Sequence, residues 1–261
     1  MLTRIMAAGL LAGVLSGICV SVLQHATTVP LILKAEAYEK LKAEAYEKAG
    51  AKPAVHQHSA LESLGEAQLI LAHAATPDAD VAASDHPASA WAPADGIERT
   101  AYTTLATVGT AVGFALMLLA AMIATGVDVT VRQAALWGLG AFVATGLAPA
   151  VGLPPELPGS AATELLARQT WWIATAATTG AGIWLIFRNS TTTAIAAGVA
   201  LIALPHAFGA PHIELFTSSV PAEIAGRFTA ASLAIHAVMW VLVGALSGYF
   251  WQRLGRSEAL A

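Results

Sequence analysis

Six long apolar stretches dominate this chain: Ile5 to Gln24, Ala101 to Thr125, Ala134 to Val151, Thr170 to Phe187, Thr192 to Phe208 and Phe228 to Phe250. None contains Asp, Glu, Lys or Arg. Each is near the roughly 20 residues a helix needs to cross a hydrocarbon layer. A chain that is 56% hydrophobic and 11% charged has too little polar surface to cover a water-soluble fold. In lipid every backbone N–H and C=O must be paired within the segment, which selects helices. The expected fold is all-α, a polytopic membrane helix bundle of about six transmembrane helices. Only Arg188, Asn189 and a threonine run separate the fourth and fifth stretches, so a count of five stays open.

Orientation follows from arginine and lysine, which short cytoplasmic loops retain. With the N-terminus inside, the inner segments carry Arg4, Arg132, Arg188, Arg253 and Arg256. The short outer loops carry Arg168 and Arg227 beside Glu156, Glu164, Glu214 and Glu223. Trp171 and Trp172 mark one interface, and Trp137, Trp184, Tyr249 and Trp251 the other. Both termini are expected in the cytoplasm. The first stretch reads as a retained helix rather than a signal peptide, because Gln24-His25-Ala26 is a poor cleavage site. Gly9, Gly13 and Gly17 form a small-residue ridge on it that admits a second helix closely. The single cysteine, Cys19, lies within this stretch, so the chain has no disulfide framework.

These assignments divide the chain into a first transmembrane helix (1–25), an external loop (26–100), a five-helix transmembrane bundle (101–252) and a cytoplasmic tail (253–261). The loop holds eleven acidic and six basic residues. Its first part repeats Lys-Ala-Glu-Ala-Tyr-Glu-Lys at Lys34 to Lys40 and Lys42 to Lys48, with Glu36–Lys40 and Glu44–Lys48 as helix-favouring pairs. A helical stem continuing the first helix outward is expected there. The remainder, rich in alanine and proline, reads as irregular.

All eight histidines fall on the external side of this topology or within the bundle. His56-x-His58 has a chelating spacing, although His56, His58, His73 and His86 also sit where most polar residues of the chain are. His25 caps the outer end of the first stretch, His206 that of the fifth, and His212 follows. His236 is deeper, roughly 13 Å below Arg227 at a helical rise of 1.5 Å per residue. An ionisable group at that depth is a functional candidate by default; the plain alternative is a neutral imidazole bonded to a neighbouring helix. With no carboxylate in the spans, a cation there must take imidazole, thiol, thioether, hydroxyl or carbonyl ligands. Thr103, Thr107, Thr110, Met239 and Cys19 lie along the spans that could supply them. Pro205-His206-Ala-Phe-Gly-Ala-Pro211-His212 concentrates two prolines and two imidazoles, and each proline removes a backbone donor. His206, His212, His236, His25, His56 and His58 are therefore the candidate ligands for a divalent transition metal. Ligation needs deprotonated imidazole, so capture weakens as pH falls through the ordinary histidine range near about 6.5.

Pro30-Leu-Ile-Leu-Lys-Ala-Glu36, Gly152-Leu-Pro-Pro-Glu-Leu-Pro-Gly159, Arg168-Gln-x-Trp-Trp172 and Leu204-Pro-His-Ala-Phe-Gly-Ala-Pro211 together resemble the CbtA family of predicted cobalt transporter subunits. The resemblance covers nearly the whole chain. It implies cobalt uptake for cobalamin synthesis through a bacterial cytoplasmic (inner) membrane. It also implies a small partner, CbtB, with one span and a histidine-rich end. Metal identity comes from the resemblance, since nitrogen ligands by themselves favour Ni²⁺, Cu²⁺ and Zn²⁺ over Co²⁺.

Other classes fare less well. No G-x-x-x-x-G-K-[ST] loop exists and no lysine follows Lys52, so this chain has no such nucleotide site. No nucleophile and base occur together at membrane depth, so no enzyme is expected, and nothing points to a nucleic acid or an organic cofactor. A membrane haem or redox protein using His236 as an axial ligand is one rival. A non-transporting scaffold assembled on the glycine ridge is another, and self-association into a homo-oligomer stays open.

Overall fold

The protein is described by a computed structural model covering residues 1–48, 93–160, 163–189, 191–212 and 218–260. Among the described residues all regular structure is helical. Helix α1 runs Leu2–Ala26, α2 Thr28–Lys48 and α3 Ile97–Ala124. Next, α4 (Val131–Phe142), a π-helical turn (Val143–Leu147) and α5 (Ala148–Ala150) form one unbroken rod. Then come α6 (Leu165–Arg188), α7 (Thr192–Phe208) and α8 (Ala222–Leu260). Among the described residues α1, α3 and α8 are long and apolar enough to cross a membrane by themselves, and α7 is a shorter apolar helix. The chain is a membrane helix bundle.

Small residues set the packing, because lipid gives apolar side chains no reason to leave it and contact between helices depends on close approach. A Cβ at Gly13 would lie 2.6 Å from the Val112 nitrogen, and Gly9 and Gly17 meet Leu116 and Val108 in the same way. The ridge expected to receive a partner is thus filled by α3 of the same chain. Gly138, Gly244 and Gly248 bring α4 against α8 at Trp240, Ala134 and Thr130, and Gly182 abuts Gly198 between α6 and α7. Ala8, Ala12, Ala111, Ala115, Leu119, Met122 and Val243 form the fully buried seam among α1, α3 and α8.

These pairings fix helix direction. Glycine order shows α1 antiparallel to α3, α4 antiparallel to α8 and α6 antiparallel to α7. Arg4 donates from Nε to the Trp251 carbonyl at 3.0 Å, and its guanidinium lies 3.9 Å over the Trp251 ring, so the start of α1 meets the end of α8. The rod and α6 are antiparallel too, with Ile183 facing Gly140, Ala144 facing Gly180 and Trp171 facing Gly152. Arg4, Arg132, Arg188, Arg253 and Arg256 therefore share one end of the bundle. His25, His206 and His212 lie at the other.

The stem departs from expectation. Rather than continuing α1, the chain breaks at Thr27 (φ −126°, ψ −63°). Pro30 explains the position: it has no N–H to give the Ala26 carbonyl and its ring crowds that carbonyl. Thr27 and Thr28 hydroxyls bond the Leu23 and Gln24 carbonyls at 2.7 and 3.3 Å. After the break α2 packs against α8, burying Ala35 with Leu157 and Val220. Arg99 of α3 pairs with Glu36 of α2. The loop after α5 joins this cap, since Thr229 donates to the Pro155 carbonyl at 2.9 Å and Ser219 to that of Gly159 at 3.2 Å.

Candidate functional site

His236 sits on the face of α8 that meets the π-helical turn. Gly146 makes room for it: a Cβ there would lie 2.8 Å from His236 Nδ1. Phe142 meets the imidazole edge-to-face at 5.9 Å. One turn on, Trp240 is buried and stacks on Phe114 of α3 at 4.5 Å. Its indole N–H donates to His236 Nε2 at 2.9 Å and to Thr145 Oγ1 at 3.1 Å. The Thr145 hydroxyl in turn donates to the Ala141 carbonyl at 2.8 Å. Because an indole nitrogen only donates, Nε2 is an acceptor and the imidazole hydrogen is on Nδ1. The ring is thus turned into the bundle rather than toward acyl chains.

At the outer end, α7 runs through Pro205 to Phe208 and stops at Gly209, whose φ of +82° and ψ of 152° suit glycine. The helix is therefore not interrupted at Pro205. His206 packs edge-to-face on Trp171 at 5.7 Å, and Trp171 Nε1 donates to the Pro205 carbonyl at 3.3 Å. Beside this contact an open, mostly apolar groove of about 620 Å³ runs between the outer ends of α6 and α7, lined by Glu164, Thr170, Trp171, Pro205, Phe208 and Pro211 among others. His212 is exposed just beyond Gly209. His25 lies apart, at the α1 end, donating from Nδ1 to the Ser21 carbonyl at 2.8 Å. Arg168 pairs with Glu156 at 3.3 Å and ties α6 to the proline-rich loop.

The family profile described as "Probable cobalt transporter subunit (CbtA)" matches residues 2–252. The chain belongs to the CbtA family. No curated protein and no solved structure matches it. Membership in CbtA makes the chain a membrane transport protein of a cobalt-transporter family, and the word "subunit" implies a partner.

Set beside that membership, the candidate ligands are dispersed. Among the described residues no three of His, Cys, Asp and Glu come together to hold a metal ion. His206 and His212 are near neighbours at the α6–α7 end, whereas His236 is on α8, which packs against α1 and α4 rather than α7. His56 and His58, with His73 and His86, lie outside the described residues. Cys19 is exposed, and Met239 packs on the α1–α3 seam, so neither joins His236. Thr107 bonds Gln24 at 3.0 Å, a structural use. His25, His206 and His212 stand at helix ends, so among the described residues no second imidazole faces His236 as a haem site requires. Sequence reasoning missed Trp240 and Thr145. The signal was present in part: Trp240 is four residues from His236, on the same helix face, and a buried indole needs an acceptor.

Proposed function

We propose that this CbtA-family chain carries a divalent transition metal, cobalt by the family's description, inward across a bacterial cytoplasmic membrane for cobalamin synthesis. In this reading it crosses the membrane six times with both termini inside. A small histidine-rich single-span partner of the CbtB kind delivers or stabilises it. His56 and His58 of the external loop, with its carboxylates, gather the ion; His25, His206 and His212 hold it at the outer end; His236 receives it within the bundle.

The observation that carries this reading is the His236–Trp240–Thr145 network, with Trp240 buried and its two partners half-buried, in a bundle whose apolar spans hold no carboxylate or ammonium. Ion passage is the use to which a lipid-embedded ionisable group is ordinarily put. The shared end of His25, His206 and His212 supports the direction, since the arginine-rich end is the one short loops retain in the cytoplasm.

Radiolabelled cobalt accumulation in cells or proteoliposomes tests it. The His206→Ala, His212→Ala, His236→Ala triple variant is expected to lose uptake at unchanged membrane abundance. Undiminished uptake overturns the relay. Comparing flux with and without the partner subunit separates a self-sufficient conduit from an obligatory assembly.

A further inference from the structure

We infer that Trp240 is a latch on His236: its indole N–H occupies the Nε2 lone pair, and Thr145 is the second acceptor that lets the latch open. This deepens the proposed function and rests on it for the identity of the arriving ion.

The imidazole has two nitrogens, and neither presents an open lone pair. Nδ1 carries the hydrogen and faces Gly146, where the backbone is so close that even a methyl group would stand 2.8 Å away. Nε2 accepts from Trp240 at 2.9 Å. A cation can bind only at Nε2, because Nδ1 lacks a lone pair in this tautomer. Binding there requires the Trp240 N–H to leave. In an apolar interior a stranded indole N–H is costly. Thr145 Oγ1, already 3.1 Å from the same nitrogen, keeps it satisfied. The Thr145 hydroxyl hydrogen is engaged with the Ala141 carbonyl, which leaves its oxygen lone pairs toward the indole. Opening therefore exchanges a shared hydrogen bond for an unshared one. No proton has to leave, since Nδ1 keeps its hydrogen throughout.

The π-helical turn makes this geometry. Its wider turn brings Thr145 and Gly146 of consecutive positions to the same region of α8, one against Trp240 and the other against His236. Such turns inside α-helices are characteristic of functional positions. Phe114 holds the indole plane from the opposite side at 4.5 Å. Trp240 is accordingly a positioning residue: it fixes the tautomer of His236 and sets when its lone pair is exposed.

Two variants move the latch in opposite directions. Trp240→Phe removes the donor while keeping an aromatic ring against Phe114. Thr145→Val removes the second acceptor with little change of shape, so the N–H has His236 alone. The full chain is labelled with ¹⁵N in its imidazoles and held in nanodiscs. Two-bond ¹⁵N–¹H spectra read the tautomer, Co²⁺-induced broadening reads ion access, and His236→Ala assigns the signal. Wild-type His236 is expected as the Nδ1–H form with an accepting Nε2. Trp240→Phe should give mixed tautomers and broaden at about fivefold lower Co²⁺, the worth of one hydrogen bond. Thr145→Val should keep the tautomer and need about fivefold more Co²⁺. A purely structural role for Trp240 would not produce shifts of opposite sign. An Nε2–H wild-type ring, an unchanged tautomer in Trp240→Phe, or both variants shifting Co²⁺ access in the same direction overturns the latch. Should Trp240→Phe also disturb the His25, His206 and His212 signals, the sign of the Thr145→Val shift decides. If the tautomer results hold but His236→Ala leaves cobalt flux intact, the transport reading fails and the hydrogen-bond assignment survives.

Discussion

Replacing Gly13 by alanine tests the packing that the whole bundle depends on. The added Cβ would lie 2.6 Å from the Val112 nitrogen and 2.7 Å from Val112 Cγ2, whereas ordinary contact begins at 3.4 Å. Backbone cannot swing aside as a side chain does, so α1 and α3 must part by about 0.8 Å at the Val112 nitrogen and by more at its Cα, a gap that forfeits a quarter to a half of each neighbouring dispersion contact. Overpacking of this kind costs about 1–3 kcal/mol, and the better helix propensity of alanine returns at most about 1 kcal/mol. A net loss of about 1–2 kcal/mol, some five- to thirtyfold in the folding equilibrium, is expected. Gly109→Ala in α3 is the control, because nothing lies within 4 Å of its added Cβ. It should be neutral or slightly stabilising. Unfolding of both variants by SDS titration in mixed micelles gives the comparison. Equal stability of Gly13→Ala and Gly109→Ala would refute the claim that the α1–α3 seam is backbone-limited.

Further outcomes follow from other contacts. Arg4→Ala removes a charged hydrogen bond to the Trp251 carbonyl and a cation–π contact at 3.9 Å; about 1–2 kcal/mol of stability should go, with faster amide exchange around residues 251–256, and lysine should restore only part of it. A double-mutant cycle on Arg99 and Glu36, whose side chains remain 29% and 24% exposed, should give a coupling of about 0.5–1 kcal/mol that shrinks with added salt. Gly209→Ala forces an L-residue to φ +82°, costing about 1–3 kcal/mol locally; the Trp171–Pro205 bond should loosen and tryptophan emission shift to the red. Single cysteines at Leu2 and Arg256 in a Cys19→Ser background should react with an impermeant thiol reagent from the same face of the membrane; opposite faces would refute an even number of crossings.

How much of this was legible beforehand depended on range. The stretch read as Ile5 to Gln24 is α1 from Leu2 to Ala26, and Thr192 to Phe208 is α7 to the residue, because a run of apolar residues bounded by capping or breaking residues is local information. Thr191, for example, accepts from the Ala194 N–H at 3.3 Å and starts α7. The break at Thr27 was also local, carried by Pro30, but a helix-favouring repeat just beyond masked it. What α2 does afterwards was not local: burial of Ala35 requires Leu157 and Val220, far along the chain. The glycine ridge announced a close partner without naming it, since any apolar helix fits such a ridge. Likewise His236 was visible as a deep imidazole, whereas its partner depended on where the π-helical turn set Thr145 and Gly146. Thr145 and Gly146 had no distinguishing sequence signal, threonine and glycine being common in membrane helices.

On the proposed reading, the distribution of tight and loose packing argues for where an ion passes. The seam among α1, α3 and α8 is closed by backbone contacts and fully buried alanines and leaves a cation little space. By contrast, Gly146 of the π-helical turn stands beside His236, and Gly152, just past the end of α5, beside Trp171 near the His206 end. An inward-negative potential of about 100 mV favours entry of a divalent ion by roughly 4.6 kcal/mol, enough for accumulation of about a thousandfold. That drive acts across the whole bilayer and selects no route. On this reading selection falls to the meeting of His236, Trp240 and Thr145, where the Nε2 lone pair can be uncovered without stranding the Trp240 N–H.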